Sequence, residues 1–141
     1  MVNMPPQVGY VLKHAQSLLH LRMEEALRPL HLTVSQYSCL YHLRGEPGIS
    51  AAALARSTFV TRQSMNAMLQ QLIDRDLVAR SSQPESGRAL PAMLTDGGDE
   101  ALNTAQKLID GVEERMLAGL TAADATALAR GLAACVNSLE R

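Results

Sequence analysis

The chain has 141 residues, 47% of them hydrophobic, which fits one domain with a real core or one subunit of an entwined oligomer. Its net charge of −1 gives no overall indication of nucleic-acid binding, but the charge is unevenly distributed. Between residues 50 and 90, five arginines stand against three acidic residues, an excess of two, whereas the charge balance of residues 96–124 is acidic. Neither a signal peptide nor an apolar run of membrane-spanning length is visible, so we expect a cytoplasmic protein.

The N-terminal third of the chain predicts two helices. Apolar residues recur at spacings of three and four over residues 7–28, and Pro29 ends this first helix because proline clashes with the preceding turn. The segment Thr33–Gln36 is a capping box, so a second helix should run from about Val34 to Arg44. Its apolar residues cover more than half of its circumference, which predicts burial on two sides.

A helix-turn-helix follows. Ser50 is a candidate N-cap for a short helix over residues 51–56, and Thr61 is a candidate N-cap for a longer helix over residues 61–75. We expect residues 57–60 to form the tight turn between them, with its apolar side chains pointing back to the core. This order of a short helix, a turn and a longer helix is typical of DNA-binding proteins.

The longer helix has two unlike faces. Its apolar arc consists of Met65, Met68, Leu69, Leu72 and Ile73. Its opposite arc carries Arg62, Gln63, Asn66, Ala67 and Gln70. Amides suit the major-groove edge of adenine, arginine suits guanine or phosphate, and a methyl group can lie against thymine. The alternative is a polar face that merely lacks charge, and the helix alone leaves the two interpretations about even.

The next segment predicts a two-stranded hairpin. Residues 77–81 and 89–94 are the expected strands, and Pro91 implies that the second is an edge strand. A hairpin directly after a recognition-type helix is a wing. Arg88 lies near its tip, where it could enter a minor groove; its alternative role is a solvated turn residue. Because the hairpin follows a recognition-type helix, we favour the minor-groove contact for Arg88.

Two long helices complete the chain. Thr95 should cap a fifth helix that ends near Gly119, and residues 120–124 should cap a last helix that runs to the C-terminus. The apolar residues of both alternate spacings of three and four, the pattern of helices packed against other helices. Since the first helix alone cannot cover both faces, a second copy of the chain would bury more apolar surface.

The expected fold class is therefore mainly α with a small β-hairpin wing: a winged helix-turn-helix plus an entwined helical dimerisation region. We expect residues 1–32 to belong to the dimerisation region, residues 33–98 to form the winged helix-turn-helix, and residues 99–141 to return to the dimerisation region.

Three segments carry a resemblance to a known family. They are LTVSQYSCLYHL before the motif, AALARSTFVTRQSMNAMLQQLIDRDLVAR through it and GRALPAMLTDGG after it. In order and motif the whole chain resembles the multiple-antibiotic-resistance regulator (MarR) family, whose wing signature is D-x-R-x-x-x-x-x-L-T-x-x-G. Arg88, Leu94, Thr95 and Gly98 are in register with that signature. The chain departs from the family where Ser86 replaces the signature aspartate and where Asp76 replaces a common glycine.

The resemblance implies a homodimeric transcriptional regulator, usually a repressor, that binds a pseudo-palindromic double-stranded DNA operator. The two reading helices would lie roughly 34–36 Å apart, one turn of DNA. Gln63, Asn66 and Gln70 would read base edges. Thr61, Arg62 and Ser64 would mix base and phosphate contacts, and Arg88 would enter the minor groove.

Family members commonly release DNA when a small aromatic acid or phenol binds between the dimer helices and the winged region. On that analogy a pocket would lie between helices 1, 2 and 5, with His14, Tyr37 and Tyr41 as candidate polar liners. The alternative for each of these residues is ordinary packing with a hydrogen-bonded tip.

The two cysteines predict neither a metal site nor a bound cofactor. Cys39 and His42 lie three residues apart, but helix 5 adds no histidine, so we expect no metal site. We expect Cys39 and Cys135 to be buried, inert thiols, because no basic residue adjoins Cys39 to lower its pKa.

Two other classes of function are an enzyme and a protein-binding module. An enzyme is not expected, since no phosphate loop, nucleophile elbow or paired carboxylates occur. A winged-helix module that binds protein instead of DNA is the alternative function, and it would explain the neutral net charge.

Overall fold

The computed structural model describes residues 7–80 and 91–141. Its helices are α1 (Val8–Leu27), α2 (Val34–Gly45), α3 (Ala51–Thr58), α4 (Arg62–Asp74), α5 (Asp96–Leu117) and α6 (Ala122–Leu139). Two short strands, β1 (Val78–Arg80) and β2 (Ala92–Leu94), pair antiparallel with Val78 opposite Leu94. The expected fold class, mainly α with a small β-hairpin in a winged helix-turn-helix, is confirmed. None of the described helices is long and apolar enough to cross a membrane.

Most of the expected helix boundaries hold because the local signals are strong. A 3-10 turn over Arg28–Leu30 contains Pro29 and follows the end of α1. The capping box of α2 forms: Thr33 Oγ1 accepts from the Gln36 N–H, and Gln36 Oε1 accepts from the Thr33 N–H. Helix α2 then packs against α1, α3, α5 and β2, which accounts for its wide apolar face.

The differences from the expected boundaries are largest at α3 and β2. Helix α3 continues to Thr58 instead of ending at residue 56, and Thr58 Oγ1 donates to the Leu54 carbonyl within it. The turn before α4 is correspondingly shorter. Strand β2 begins at Ala92, so Pro91 precedes the strand and costs it no ladder hydrogen bond.

The hydrophobic core joins the helix-turn-helix to the first half of α5. Among the described residues, sixteen buried ones form it: Leu27, Leu32, Tyr37, Cys39, Leu40, Leu43, Ile49, Leu54, Ala55, Met65, Leu69, Leu72, Val78, Ala92, Leu102 and Ala105. Only Leu27 comes from α1, and α6 contributes none. The N-terminal part of α1 and all of α6 therefore extend away from the core.

Candidate nucleic-acid interface

Helix α4 begins with a well-formed cap. Thr61 has extended backbone angles, and its Oγ1 accepts from the Ser64 N–H at 3.0 Å and donates to Ser64 Oγ at 2.9 Å. The preceding Val60 packs against the core, which fixes the direction in which the chain enters the helix. The cap thus uses the hydroxyls of two residues that the sequence assigned to DNA contacts.

The two faces of α4 divide as the sequence predicts. Met65, Leu69 and Leu72 are buried, and Met68 and Ile73 are half-buried against the same core. The predicted reading residues Thr61, Arg62, Gln63, Ser64, Asn66 and Gln70 are all exposed. Gln70 lies in the third turn, where its Nε2 donates to Asp74 Oδ1 at 3.0 Å. The structure therefore brings the six residues onto one accessible surface, which we call the reading face.

The far end of α4 is tied to the junction between α1 and α2. The Arg75 guanidinium donates to the backbone oxygens of His31 and Leu30 at 2.6 and 3.0 Å. One turn earlier, Gln36 Nε2 donates to Gln71 Oε1 at 3.3 Å. These contacts were not foreseen from the sequence, because nothing local signals a partner 44 residues away.

The base of the hairpin packs tightly against the start of α5. Thr95 Oγ1 accepts from the Gly98 N–H at 3.0 Å and donates to the Asp76 carbonyl at 2.6 Å. A Cβ atom on Gly98 would lie 2.0 Å from the Leu77 carbonyl oxygen, so only glycine fits. Arg88, the predicted wing contact, lies outside the described residues.

The turn of the helix-turn-helix departs from the expectation. Val60 does point back to the core, but Phe59 is 95% exposed, so the prediction for that residue was wrong. The cause is its left-handed backbone, with φ of 60°, which turns the side chain outward. Asp76 likewise has a positive φ, of 59°.

An open cleft lies between α1 and α5. Its volume is about 310 Å³, and its walls are Ala15, Leu18, Leu19, Arg22, Val112, Arg115 and Met116. None of the expected liners is among them: His14 and Tyr41 are exposed, and Tyr37 is buried. The Tyr37 hydroxyl donates to Gln106 Oε1 at 3.0 Å, which is the packing role given as its alternative. Burial raises the pKa of Tyr37, and the nearby Tyr41 and Asp110 raise it further.

The two cysteines differ. Cys39 is fully buried beside Met65, and burial raises the pKa of its thiol to about 12. Cys135 is exposed on α6, contrary to the expectation of burial, because the described part of the chain buries no residue of α6.

Comparison with known proteins decides the family. A model described as MarR family matches residues 31–89. The HTH-type transcriptional repressor Rv2887 of Mycobacterium tuberculosis is 41% identical over 115 residues, which cover 82% of this chain and 83% of that protein. The chain belongs to the MarR family. The expectation drawn from the wing signature and the helix order is thereby confirmed.

Solved structures of this MarR family relative superpose over nearly the whole chain. Rv2887 of Mycobacterium tuberculosis in complex with salicylic acid has a TM-score of 0.77 and 37% identity, covering 96% of this chain and 99% of that one. Rv2887 in complex with DNA has a TM-score of 0.79 and 35% identity, covering 93% and 98%.

Proposed function

We propose that this chain is a homodimeric, ligand-responsive transcriptional repressor that binds a pseudo-palindromic DNA operator. The observation that carries the proposal is the reading face of α4, a capped helix whose exposed side bears amides, hydroxyls and one arginine. Such groups donate and accept in the major groove, where each base pair has its own pattern. The complex of the related Rv2887 with DNA supports this use of the fold.

The proposed contacts divide by position. Gln63, Asn66 and Gln70 read base edges, and Arg62 takes guanine or phosphate. Thr61 and Ser64 hold the first turn of the helix and present its N-terminus to a phosphate. Arg88 enters the adjacent minor groove.

The experiment is a titration of the full chain against the intergenic DNA upstream of its own gene, at two salt concentrations. We expect a retained complex whose affinity falls only shallowly with salt, because few Lys or Arg side chains face phosphate. A protein-binding winged-helix module, the alternative function, would retain no duplex at either concentration. Regulation by binding needs no catalysis, so we propose no enzymatic activity, and we propose a cytoplasmic location.

The homodimer is supported by the apolar surface that the single chain leaves uncovered. Exposed large apolar residues cluster on the helices outside the core: Val8, Tyr10, Val11, Leu12, Leu18 and Leu21 on α1, and Leu128, Val136 and Leu139 on α6. Monomeric soluble proteins seldom expose large apolar patches, so we expect these side chains to be covered in the assembled protein. A second copy related by a twofold axis would cover them and would space the two reading faces for successive turns of DNA.

A charge placed on that surface tests the dimer. Val136 is 55% exposed within the chain, so Val136→Glu should leave the protomer folded and split the dimer on size-exclusion chromatography with light scattering. Ala134→Glu, on the opposite side of α6, is the matched control and should remain dimeric. A dimeric Val136→Glu variant would exclude this face of α6 from the interface.

We propose that the effector is a small aromatic acid held in the cleft between α1 and α5. Its apolar walls suit an aromatic ring, and the guanidinium groups of Arg22 and Arg115 suit a carboxylate. Arg22 already donates to both carboxylate oxygens of Glu25 at 3.0 and 3.1 Å, so Arg115 is the freer of the two to take a ligand. The complex of Rv2887 with salicylic acid supports this ligand class.

To test the cleft, the protein is titrated with salicylic acid and the rise in its melting temperature is measured. Arg115→Met should abolish the shift, whereas Tyr41→Ala should leave it unchanged. The reverse result would reject the cleft and place the ligand near Tyr41. Benzyl alcohol, which lacks the carboxylate, is the control ligand and should give little shift with any variant.

A further inference from the structure

We propose that Phe59 is an additional DNA-contact residue whose ring packs against the methyl group of a thymine in the major groove. The inference rests on the proposed DNA-binding function and adds to it a specificity-determining residue outside helix α4.

The ring has no role in the core. Phe59 is 95% exposed, while its neighbour Val60 supplies the apolar contact that closes the turn onto the core. A backbone hydrogen bond also closes the turn without help from the ring, since the Val60 N–H donates to the Ala55 carbonyl at 3.1 Å. A large apolar side chain in water at this position contributes nothing visible to folding.

The backbone conformation at Phe59 is one that phenylalanine adopts only at a cost in free energy. Its φ of 60° and ψ of 36° lie in the left-handed region, which glycine and asparagine adopt readily and bulky residues do not. A residue that is both strained and exposed is better explained by a ligand than by the fold.

The location of Phe59 indicates that this ligand is DNA. It lies two residues before Thr61, the N-cap of α4, and in a helix-turn-helix the N-terminal residues of the second helix contact base edges. The exposed guanidinium groups of Arg56 and Arg62 lie on either side of it in the sequence, as suits a position beside phosphates. The apolar group that the major groove offers is the thymine methyl, and phenylalanine is one of the side chains that contacts it.

The experiment removes the methyl group and the ring separately. The full chain is used to select its preferred site from a random duplex pool, and each thymine of that site is then replaced by deoxyuridine, which lacks only the methyl. We expect one thymine per half-site whose replacement weakens wild-type binding by about three- to fivefold, the effect of burying one methyl group. The same replacement should have no effect on binding by Phe59→Gly.

Stability measurements separate this role from a structural one. Phe59→Gly and Phe59→Asn relieve the backbone strain, so both should melt at the same temperature as the wild type or higher while binding the thymine-containing site more weakly. His31→Gly is the matched control: it relieves a similar φ of 54° at an exposed position away from the start of α4, and should bind as the wild type does.

Two results would overturn the inference. One is equal affinity of the wild type and both Phe59 variants for the selected site, which leaves the proposed function intact. The other is equal sensitivity of the wild type and Phe59→Gly to every deoxyuridine replacement. Failure of the wild type to select or bind any duplex would reject the proposed function itself, and this inference with it.

Discussion

The guanidinium of Arg75 donates a 2.6 Å hydrogen bond to the backbone oxygen of His31, 44 residues earlier in the chain. The second bond, to Leu30, makes the contact bidentate. Arg75 directly follows α4, and His31 lies between α1 and α2. The contact therefore links the reading helix to the base of the helix on which we place the dimer interface and the effector cleft.

Removing this link should loosen the reading helix. Arg75→Met keeps the length of the side chain but loses both donated bonds, and we expect a loss of about 1 kcal/mol in the free energy of unfolding. Urea unfolding at a fixed chain concentration measures it. Arg62→Met, at the exposed start of the same helix, is the control and should change stability by less than about 0.5 kcal/mol. Equal effects of the two variants would show that the link contributes nothing to stability.

The glycine pair at the start of α5 should respond unequally to alanine. A Cβ on Gly98 would lie 2.0 Å from the Leu77 carbonyl oxygen, and no side-chain rotation can relieve a clash with backbone. We expect Gly98→Ala to cost about 3 kcal/mol, or to prevent folding. In Gly97→Ala the added Cβ meets the Asp76 carbonyl oxygen at an ordinary 3.5 Å, so this neighbouring variant should be as stable as the wild type or slightly more so. Thermal unfolding compares the two variants. Equal melting temperatures would contradict the close packing of Gly98 against Leu77.

Burial of the Cys39 thiol predicts a loss of stability at alkaline pH. The pKa of this thiol rises from 9.0 to about 12 on folding. Below pH 9 both states keep the proton; above it the unfolded chain loses the proton first, so rising pH favours unfolding until the folded pKa is passed. The free energy of unfolding should fall by at most about 1.4 kcal/mol per pH unit from this group. Cys39→Ala should show a shallower decline between pH 9 and 10, and parallel curves would contradict the assignment.

The amides of the reading face should contribute unequally to base preference. Asn66 is exposed in the second turn of α4, whereas Gln70 is farther along the helix and already donates to Asp74. We expect Asn66→Ala to cost about 1–3 kcal/mol in operator binding and to relax one base position. Gln70→Ala should have the smaller effect because its amide must first leave Asp74. Selection from a random duplex pool compares the two, and unaltered profiles for both would remove the amides from the reading role.

The fold was largely predictable because its signals are local. Each cap needs only a hydroxyl and an N–H three residues on, and Thr33, Thr61 and Thr95 all form such caps where the sequence placed them. The apolar periodicity of α4 likewise identified which side would be buried. The family followed from motifs of the same local kind, and relatives confirm it.

The sequence-based predictions failed where the surroundings of a side chain depend on distant chain segments or on backbone angles. Periodicity cannot show that Phe59 turns outward, since that follows from a left-handed φ that its residue type disfavours. It also cannot show that Tyr37 bonds to Gln106 instead of lining a cleft, or that the cleft lies farther along α1 and α5.

By itself, the sequence determined the helices, their caps and the exposed polar face of α4, because hydrogen bonds and apolar spacing act over a few residues. The packing of distant segments determined how the chain is held just after α4, by Arg75 against His31 and by Leu77 against Gly98, and left α6 with no buried residue among those the structure describes. Those outcomes depend on which surfaces remain after distant segments have packed, and spacing along the chain carries no information about that.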